Sequence, residues 1–561
     1  MVRAYRSDRP LRRPSPARRR AGISLTLLGL AAGLLPADVA VAAPVPRGAV
    51  FPAVAAGQVP HLLWRGCGQG FQCATAGVPL DYRHLTGRSI SLALIRLPAA
   101  DRRHRIGSLF VNPGGPGGSG VDFVRQAAKV VPPAVRARFD VVGFDPRGVA
   151  HSTPLQCFAS AGAEQRVLGK LPPFPVGQGQ VRSYIITIAR ANAACARRAP
   201  ELIRFMSTAD VARDLDLLRR AVGDPKLTYA GYSYGTYLGA TYVNLFPRNV
   251  RAVIVDGVLD PVAWATGRNQ TGRAIPFSTR LHSADGAYAT LLKFFATCDA
   301  AGRRCAFSAG DPQRKYAALT ARLLRKPLVV PTPQGRRTIT YADVVSLTLG
   351  ALYSPQAWPA LAGYLQQVYD ALGLGGYTSL TAPQPPTAAA AARPPYPNGY
   401  DSFAAVACDD TINPRDPYAW ARAARAQDQQ APYFGAAWTW ASAPCATWPA
   451  KAPNRYLGPF TARTSAPVLI VGNRYDPATR YQGAQTLARL LPRSRLITLN
   501  GYGHTSFGQS ACISRYQSAY LLTGALPAPG TVCQPDTQPF YPQPQVTSAA
   551  PTLPGRPYTS G

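Results

Sequence analysis

Short runs of apolar residues recur along this chain, each closing on glycines or an acid: Ile106 to Val111, Phe139 to Phe144, Leu227 to Ala230, Val250 to Val255, Val468 to Val471 and Leu496 to Leu499. Runs of this length, mostly apolar rather than apolar only at alternate positions, predict strands buried on both faces. Between several of them the apolar positions return at helical spacing, over Ala209 to Val222, Thr236 to Leu245 and Tyr481 to Leu491. Strands alternating with helices predict a mostly parallel α/β sheet. Leu80 to Leu97 alternates apolar with polar residues and predicts an opening antiparallel hairpin.

From Pro261 to about Ala450 this rhythm is lost, and it resumes at Ala466. The stretch is aromatic and helical in pattern, which predicts a cap over 261–450 inserted between a first core part, 44–260, and a second, 451–535. A separate second domain is the alternative. The Pro- and Ala-rich residues 381–399 read as an extended loop, and the Pro/Ser/Thr-rich 536–561 as a flexible tail.

The chain opens with eight arginines and one acid in residues 1–20, then the apolar run Ile23 to Leu35, then Ala40-Val41-Ala42-Ala43. This predicts a bacterial secretory signal peptide over 1–43 and a secreted or cell-envelope protein. A membrane anchor fits less well, because the apolar run falls short of the roughly 20 residues a bilayer requires. Arg18-Arg19-Arg20 leaves the twin-arginine route open beside the general one. All ten cysteines follow this leader, no two stand as CxxC, and an even number in an exported chain predicts bridges rather than metal ligation. Ten cysteines leave the connectivity open; short loops close most readily, so neighbour pairing is the expectation, 67 with 73, 157 with 195, 298 with 305, 408 with 445 and 512 with 533, with an ordinary buried thiol as the alternative for any one of them.

The net charge of +34 by itself suggests nucleic acid or an anionic membrane as partner. Its make-up argues otherwise: Lys occurs seven times and Glu twice, so the excess is arginine scattered along the chain, in the manner of a GC-rich coding bias. Loss of the leader would leave +28. No zinc-finger, helix-turn-helix or RNP pattern accompanies the charge, so no nucleic-acid partner is expected. Electrostatic association with an anionic cell envelope is the remaining reading of the charge.

Candidate chemistry begins where the strand Leu227 to Ala230 runs into Gly231-Tyr232-Ser233-Tyr234-Gly235. G-x-S-x-G between a strand and a helix is a nucleophile elbow, a tight turn that lifts a serine hydroxyl out of the sheet. A turn built from glycine and serine without catalytic purpose is the alternative. Of six histidines only His282 and His504 follow Ser233, and His282 falls inside the presumed cap. His504, just past the last predicted strand, fits the order serine, acid, histidine. Asp476, after Val471 and 28 residues before His504, is the expected acid, with Asp256 as the fallback. The Tyr234 amide and an amide of the run Asn112-Pro113-Gly114-Gly115-Pro116-Gly117-Gly118, Gly114 or Gly115, are the expected oxyanion donors. A phosphate loop is the competing reading of this run and is set aside because no G-x-x-x-x-G-K-[ST] follows the strand.

NPGGPGGSG at 112–120, DVVGFDPRGVAHS at 140–152, GYSYGTYLG at 231–239, GNRYDPAT at 472–479 and GYGHTS at 501–506 together resemble the secreted tripeptidyl-aminopeptidase-like branch of the prolyl aminopeptidase family. The likeness runs from about Trp64 to Cys533. It implies an α/β-hydrolase fold, a Ser233, Asp476, His504 triad beneath a helical cap, no metal or organic cofactor, and short peptides cut from a free amino terminus. Prolyl aminopeptidases carry a histidine where this chain has Pro113, a departure that matches the tripeptidyl branch. The family's amine-binding carboxylates are usually glutamates, but Glu164 and Glu201 both lie outside the presumed cap. Asp409 and Asp410 are then the candidates for the substrate amine, with a solvated turn beside Cys408 as the alternative. An esterase on the same machinery, or a binding protein that keeps only the fold, are the competing functions.

Overall fold

The computed structural model describes residues 59–127, 131–332, 335–375, 396 and 398–541. The expected signal peptide over 1–43, nearly all of the loop 381–399 and the tail beyond 541 lie outside the described residues. The strands are β1 (Arg65–Gly66), β2 (Gln72–Pro79), β3 (Ser89–Leu97), β4 (Gly107–Asn112), β5 (Phe139–Phe144), β6 (Leu227–Tyr232), β7 (Val250–Asp256), β8 (Leu328–Thr332), β9 (Gly335–Ile339), β10 (Val468–Tyr475), β11 (Ser494–Tyr502) and β12 (Val532–Cys533). Ten of them form one sheet in the order β1-β2-β3-β5-β4-β6-β7-β10-β11-β12. Every pairing from β5 to β12 is parallel, and β1, β2, β3 and β5 pair antiparallel.

The mostly apolar runs have their expected cause. Every residue of β4, β5 and β6 is buried. Along β4, Phe110 faces one apolar cluster while Leu109 and Val111 face the other, so both sides of the strand lie under helices. Because β4 and β6 are parallel neighbours, the loops at their carboxyl ends meet; β6, β7, β10 and β11 likewise bring their ends together. In open α/β sheets this edge is where ligands bind.

Two expectations need correction. The antiparallel hairpin does not lie within 80–97: β3 pairs with Gln72–Pro79, and residues 80–88 form the connection, closed by Leu80 N–H donating to Arg88 O at 2.8 Å. The first strand, QCATAGVP, is rich in small residues, so its apolar alternation is faint in the sequence. The stretch from 261 to 450 also holds an antiparallel hairpin, β8 with β9, whose β-branched residues override the helical pattern around them.

The chain between β7 and β10 is otherwise helical, with Ser283–Ala301, Pro312–Arg325, Tyr341–Leu352, Trp358–Ala371, Gly399–Asp410 and Ala419–Gln430 as its longer helices. Gly399–Asp410 is buried from Tyr400 onward. It packs against the residues that follow β4 and β5: a Cβ on Gly117 would stand 2.5 Å from Ser402 Oγ, Asn398 Nδ2 donates to Gly148 O at 2.7 Å, and Asp401 Oδ2 accepts from Cys157 N–H at 2.9 Å. The ten cysteines close in five bridges, each with its sequence neighbour as expected. No described helix is long and apolar enough to cross a membrane.

Candidate active site

From Leu227 to Val243 every residue is buried except Ser233. The serine stands between β6 and the helix Tyr234–Leu245 with φ +55°, a left-handed value that costs a residue with a Cβ roughly 1–3 kcal/mol. The glycines of the motif permit that turn. A Cβ on Gly235 would stand 2.7 Å from Asn112 O, and one on Gly231 would overlap the Gly235 carbonyl, so only glycine lets strand, turn and helix approach this closely. The Ser233 amide donates to Asp256 O at 3.0 Å, which ties the turn to the end of β7.

Asp476 and His504 follow the ends of β10 and β11 and meet as a buried pair, with His504 Nδ1 2.9 and 3.0 Å from the two Asp476 oxygens. An ionised carboxylate only accepts, so Nδ1 carries the proton and Nε2 is left with its lone pair. Asp476 also accepts from Ala478 N–H and Thr479 N–H at 2.8 Å, Thr479 Oγ1–H at 2.9 Å and Thr505 N–H at 3.0 Å. Burial works to raise its carboxyl, but the His504 charge and these hydrogen bonds outweigh that and hold it below the usual carboxylate value.

The histidine loop is held from several sides. Asn473 Nδ2 donates to Gly503 O at 2.8 Å and to Thr505 O at 3.2 Å. His504 N–H donates to Tyr353 O at 2.8 Å, and the Tyr353 ring stands edge-on to the imidazole with centroids 4.9 Å apart. Tyr353 follows the helix Tyr341–Leu352, so the chain between β7 and β10 touches His504 directly. Asp256, the fallback acid, makes no hydrogen bond to His504. Its oxygens accept from Ser506 N–H at 2.9 Å and Ser506 Oγ–H at 2.6 Å.

The glycine loop after β4 resolves which amide is available. Gly114 N–H donates to Asn112 Oδ1 at 2.9 Å and is therefore occupied, which corrects its place among the expected oxyanion donors. The amides of Gly115 and Tyr234 find no acceptor among the described residues. Gly114 contributes by closeness: its Cβ position lies 2.8 Å from Tyr234 N, so the two loops are in van der Waals contact there. Asp145, from the DPRG segment after β5, accepts from Ser119 Oγ–H at 2.6 Å and Val121 N–H at 3.1 Å and anchors the far end of that loop. Arg147 of the same segment makes a fully buried two-point pair with Asp214, at 2.8 and 2.6 Å.

Asp409 and Asp410 are buried, not on a solvated turn. Asp409 accepts from Met206 N–H and from Trp448 Nε1–H, both at 3.2 Å. Asp410 accepts from Thr208 N–H at 2.7 Å, Thr208 Oγ1–H at 2.5 Å and Trp264 Nε1–H at 3.3 Å, and Thr208 Oγ1 also bonds the Tyr234 hydroxyl. Burial pushes the Asp410 carboxyl up to about 7 and Asp409 well above its ordinary value. Neither faces solvent: Asp410, through Thr208 and the Tyr234 hydroxyl, joins the helix Gly399–Asp410 to the Ser233 turn, and Asp409 ties the same helix to Met206 and Trp448. That role, and those of Asn473, Tyr353 and Asp256, left no mark in the sequence beyond the proximity of Asn473 to Asp476.

Comparison with known proteins agrees with this arrangement. The model of the alpha/beta hydrolase fold matches residues 107–279, and that of the TAP-like protein family matches 431–533. The chain is 33% identical over 479 residues to the serine protease Hip1 of Mycobacterium tuberculosis, covering 83% of this chain and 87% of the relative. It is 33% identical over 512 residues to the tripeptidyl aminopeptidase of Streptomyces coelicolor, covering 88% and 89%. To the carboxylesterase B of Mycobacterium tuberculosis it is 34% identical over 474 residues, covering 83% and 86%. Alike to these relatives over most of its length, and with a parallel sheet whose carboxyl edge carries the elbow, the chain belongs to the TAP-like family of α/β-hydrolases.

Proposed function

We propose that this protein is an exported serine peptidase that releases short peptides, tripeptides foremost, from the free amino end of its substrates, with Ser233, His504 and Asp476 as its triad. The observation that carries the reading is the half-buried, left-handed Ser233 in an otherwise buried turn, at the sheet edge that also holds the buried Asp476 to His504 hydrogen bond. His504 Nε2 takes the proton of the Ser233 hydroxyl, and the oxygen attacks the substrate carbonyl. The Tyr234 and Gly115 amides receive the developing oxyanion, and Asp476 stabilises the imidazolium and holds its orientation. His504 returns the proton to the leaving amine, and water attacks the acyl-enzyme with the same base.

Peptide rather than ester specificity rests on the tripeptidyl aminopeptidase and serine protease relatives. Esterase action is the second reading, favoured by the carboxylesterase B relative, which is 34% identical. Export through a leader in residues 1–43 is supported by five disulfides, which persist in oxidising compartments. The arginine excess would add affinity for anionic envelope surfaces, to be read by salt elution.

The test is a panel of peptide anilides with free and blocked amino ends beside matched esters, with products identified by mass spectrometry. Release of tripeptides from free amino ends alone supports the proposal. Turnover of esters only, or equal cleavage of blocked peptides, overturns the aminopeptidase reading.

A further inference from the structure

We infer that Asp256 is a positioning residue that locks the histidine loop to the serine turn, so that Ser233 and His504 move as one unit; the inference rests on the triad proposed above. Three hydrogen bonds, all accepted by Asp256, meet in this residue. Its backbone oxygen accepts from Ser233 N–H at 3.0 Å, and its carboxylate accepts from Ser506 N–H at 2.9 Å and Ser506 Oγ–H at 2.6 Å, two residues past His504. One residue thus links two loops whose catalytic members lie 271 positions apart in the chain, and β7 places it there as the neighbour of both β6 and β10.

Asp256 is fully buried, and among the described residues no Lys or Arg pairs with it. The groups facing it are Tyr232 from β6, Asp476 after β10, and His504 and Ser506 after β11. A buried carboxylate beside a second carboxylate is an expensive way to hold a loop. Its carboxylate is nevertheless satisfied by Ser506 alone, which ties it to the loop that carries the imidazole. Burial, opposed by the Ser506 bonds and reinforced by Asp476, brings its carboxyl up to about 6. Above that pH the carboxylate accepts both Ser506 bonds and adds negative charge near His504.

The experiment compares Asp256→Ala, Asp256→Asn and Ser506→Ala in the full chain, by steady-state kinetics across pH 5 to 9 and by the rate of Ser233 labelling with a fluorophosphonate. Asp256→Ala is expected to lose about 10- to 100-fold in kcat and in labelling rate with KM nearly unchanged, because the orientation of His504 matters for proton transfer and not for binding. Asp256→Asn keeps an acceptor for Ser506 N–H. It should recover to within about threefold of the parent above pH 8, with the acidic limb of its profile moved down by roughly 0.5–1 pH for the lost charge. Ser506→Ala should lose about 3- to 10-fold in kcat, and it carries the test if Asp256→Ala does not fold. A folded Asp256→Ala, or failing that Ser506→Ala, with the parent's kcat and labelling rate overturns the inference. Labelling of Ser233→Ala equal to the parent's would instead overturn the triad itself.

Discussion

Gly114→Ala isolates the contact between the glycine loop and the serine turn. Gly114 has φ +92°, and a Cβ there would stand 2.5 Å from Tyr232 O, 2.8 Å from Tyr234 N and 2.9 Å from Ser233 Cβ. All three belong to the turn that carries the nucleophile, and two are backbone atoms that no side-chain rotation can move aside. The left-handed backbone adds about 1–3 kcal/mol of strain for alanine. To bring Tyr234 N from 2.8 Å to an ordinary 3.4 Å contact, the turn or the loop must withdraw by about 0.6 Å. A donor displaced that far from an oxyanion at about 2.9 Å no longer makes an effective hydrogen bond. Loss of one such donor costs about 100- to 1,000-fold in kcat, and because the oxyanion forms only in the transition state, KM should change little. The assay is steady-state hydrolysis of a peptide anilide together with thermal melting. Gly179→Ala serves as control, since that glycine is exposed with nothing within 4 Å of its Cβ position. A folded Gly114→Ala with kcat within threefold of the parent would refute the placement of the Tyr234 amide in the oxyanion site.

Two further outcomes follow from the contacts around the site. Asp410 is raised from its ordinary 3.8 to about 7, so the fold prefers its neutral form; its stabilising contribution is complete below about pH 4 and is lost as pH rises through 7, by up to about 4 kcal/mol. Asp410→Asn should therefore flatten the rise in unfolding free energy seen when denaturation is measured from pH 8 down to pH 4, and an unchanged slope would remove Asp410 as its source. Tyr353→Ala keeps the carbonyl that accepts from His504 N–H but removes the ring edge-on to the imidazole. That contact is worth about 0.5–1.5 kcal/mol, so kcat/KM should fall about 2- to 12-fold, and unchanged kinetics would show that the ring does not orient His504.

Much of the framework was legible because its signals are local. β4, β5 and β6 are buried on both faces and therefore read as short, mostly apolar runs; β2 was missed because small residues blur its alternation. The elbow was legible because a strained turn between strand and helix demands glycine on each side of Ser233, and His504 because so few histidines follow that serine. The expected acid sits beside His504 for a similar reason: chain order in this fold follows strand order, and β10 and β11 are parallel neighbours.

The sequence by itself determined the sheet's parallel half and the chain order of Ser233, Asp476 and His504; ten cysteines allow many pairings, and the fold selected the neighbours. Tertiary structure decided how each group is used. Asn112 takes the Gly114 amide and leaves that of Gly115 open; Asp256 turns to Ser506 rather than to His504; Asp409 and Asp410 are enclosed by Met206, Thr208, Trp264 and Trp448. The physical reason is the range of the contacts. Propensity and periodicity report on neighbours a few positions apart, whereas the partners of Asp256 and Asp410 lie 250 and 202 residues away, and only the assembled sheet and the helix Gly399–Asp410 bring them within hydrogen-bond reach.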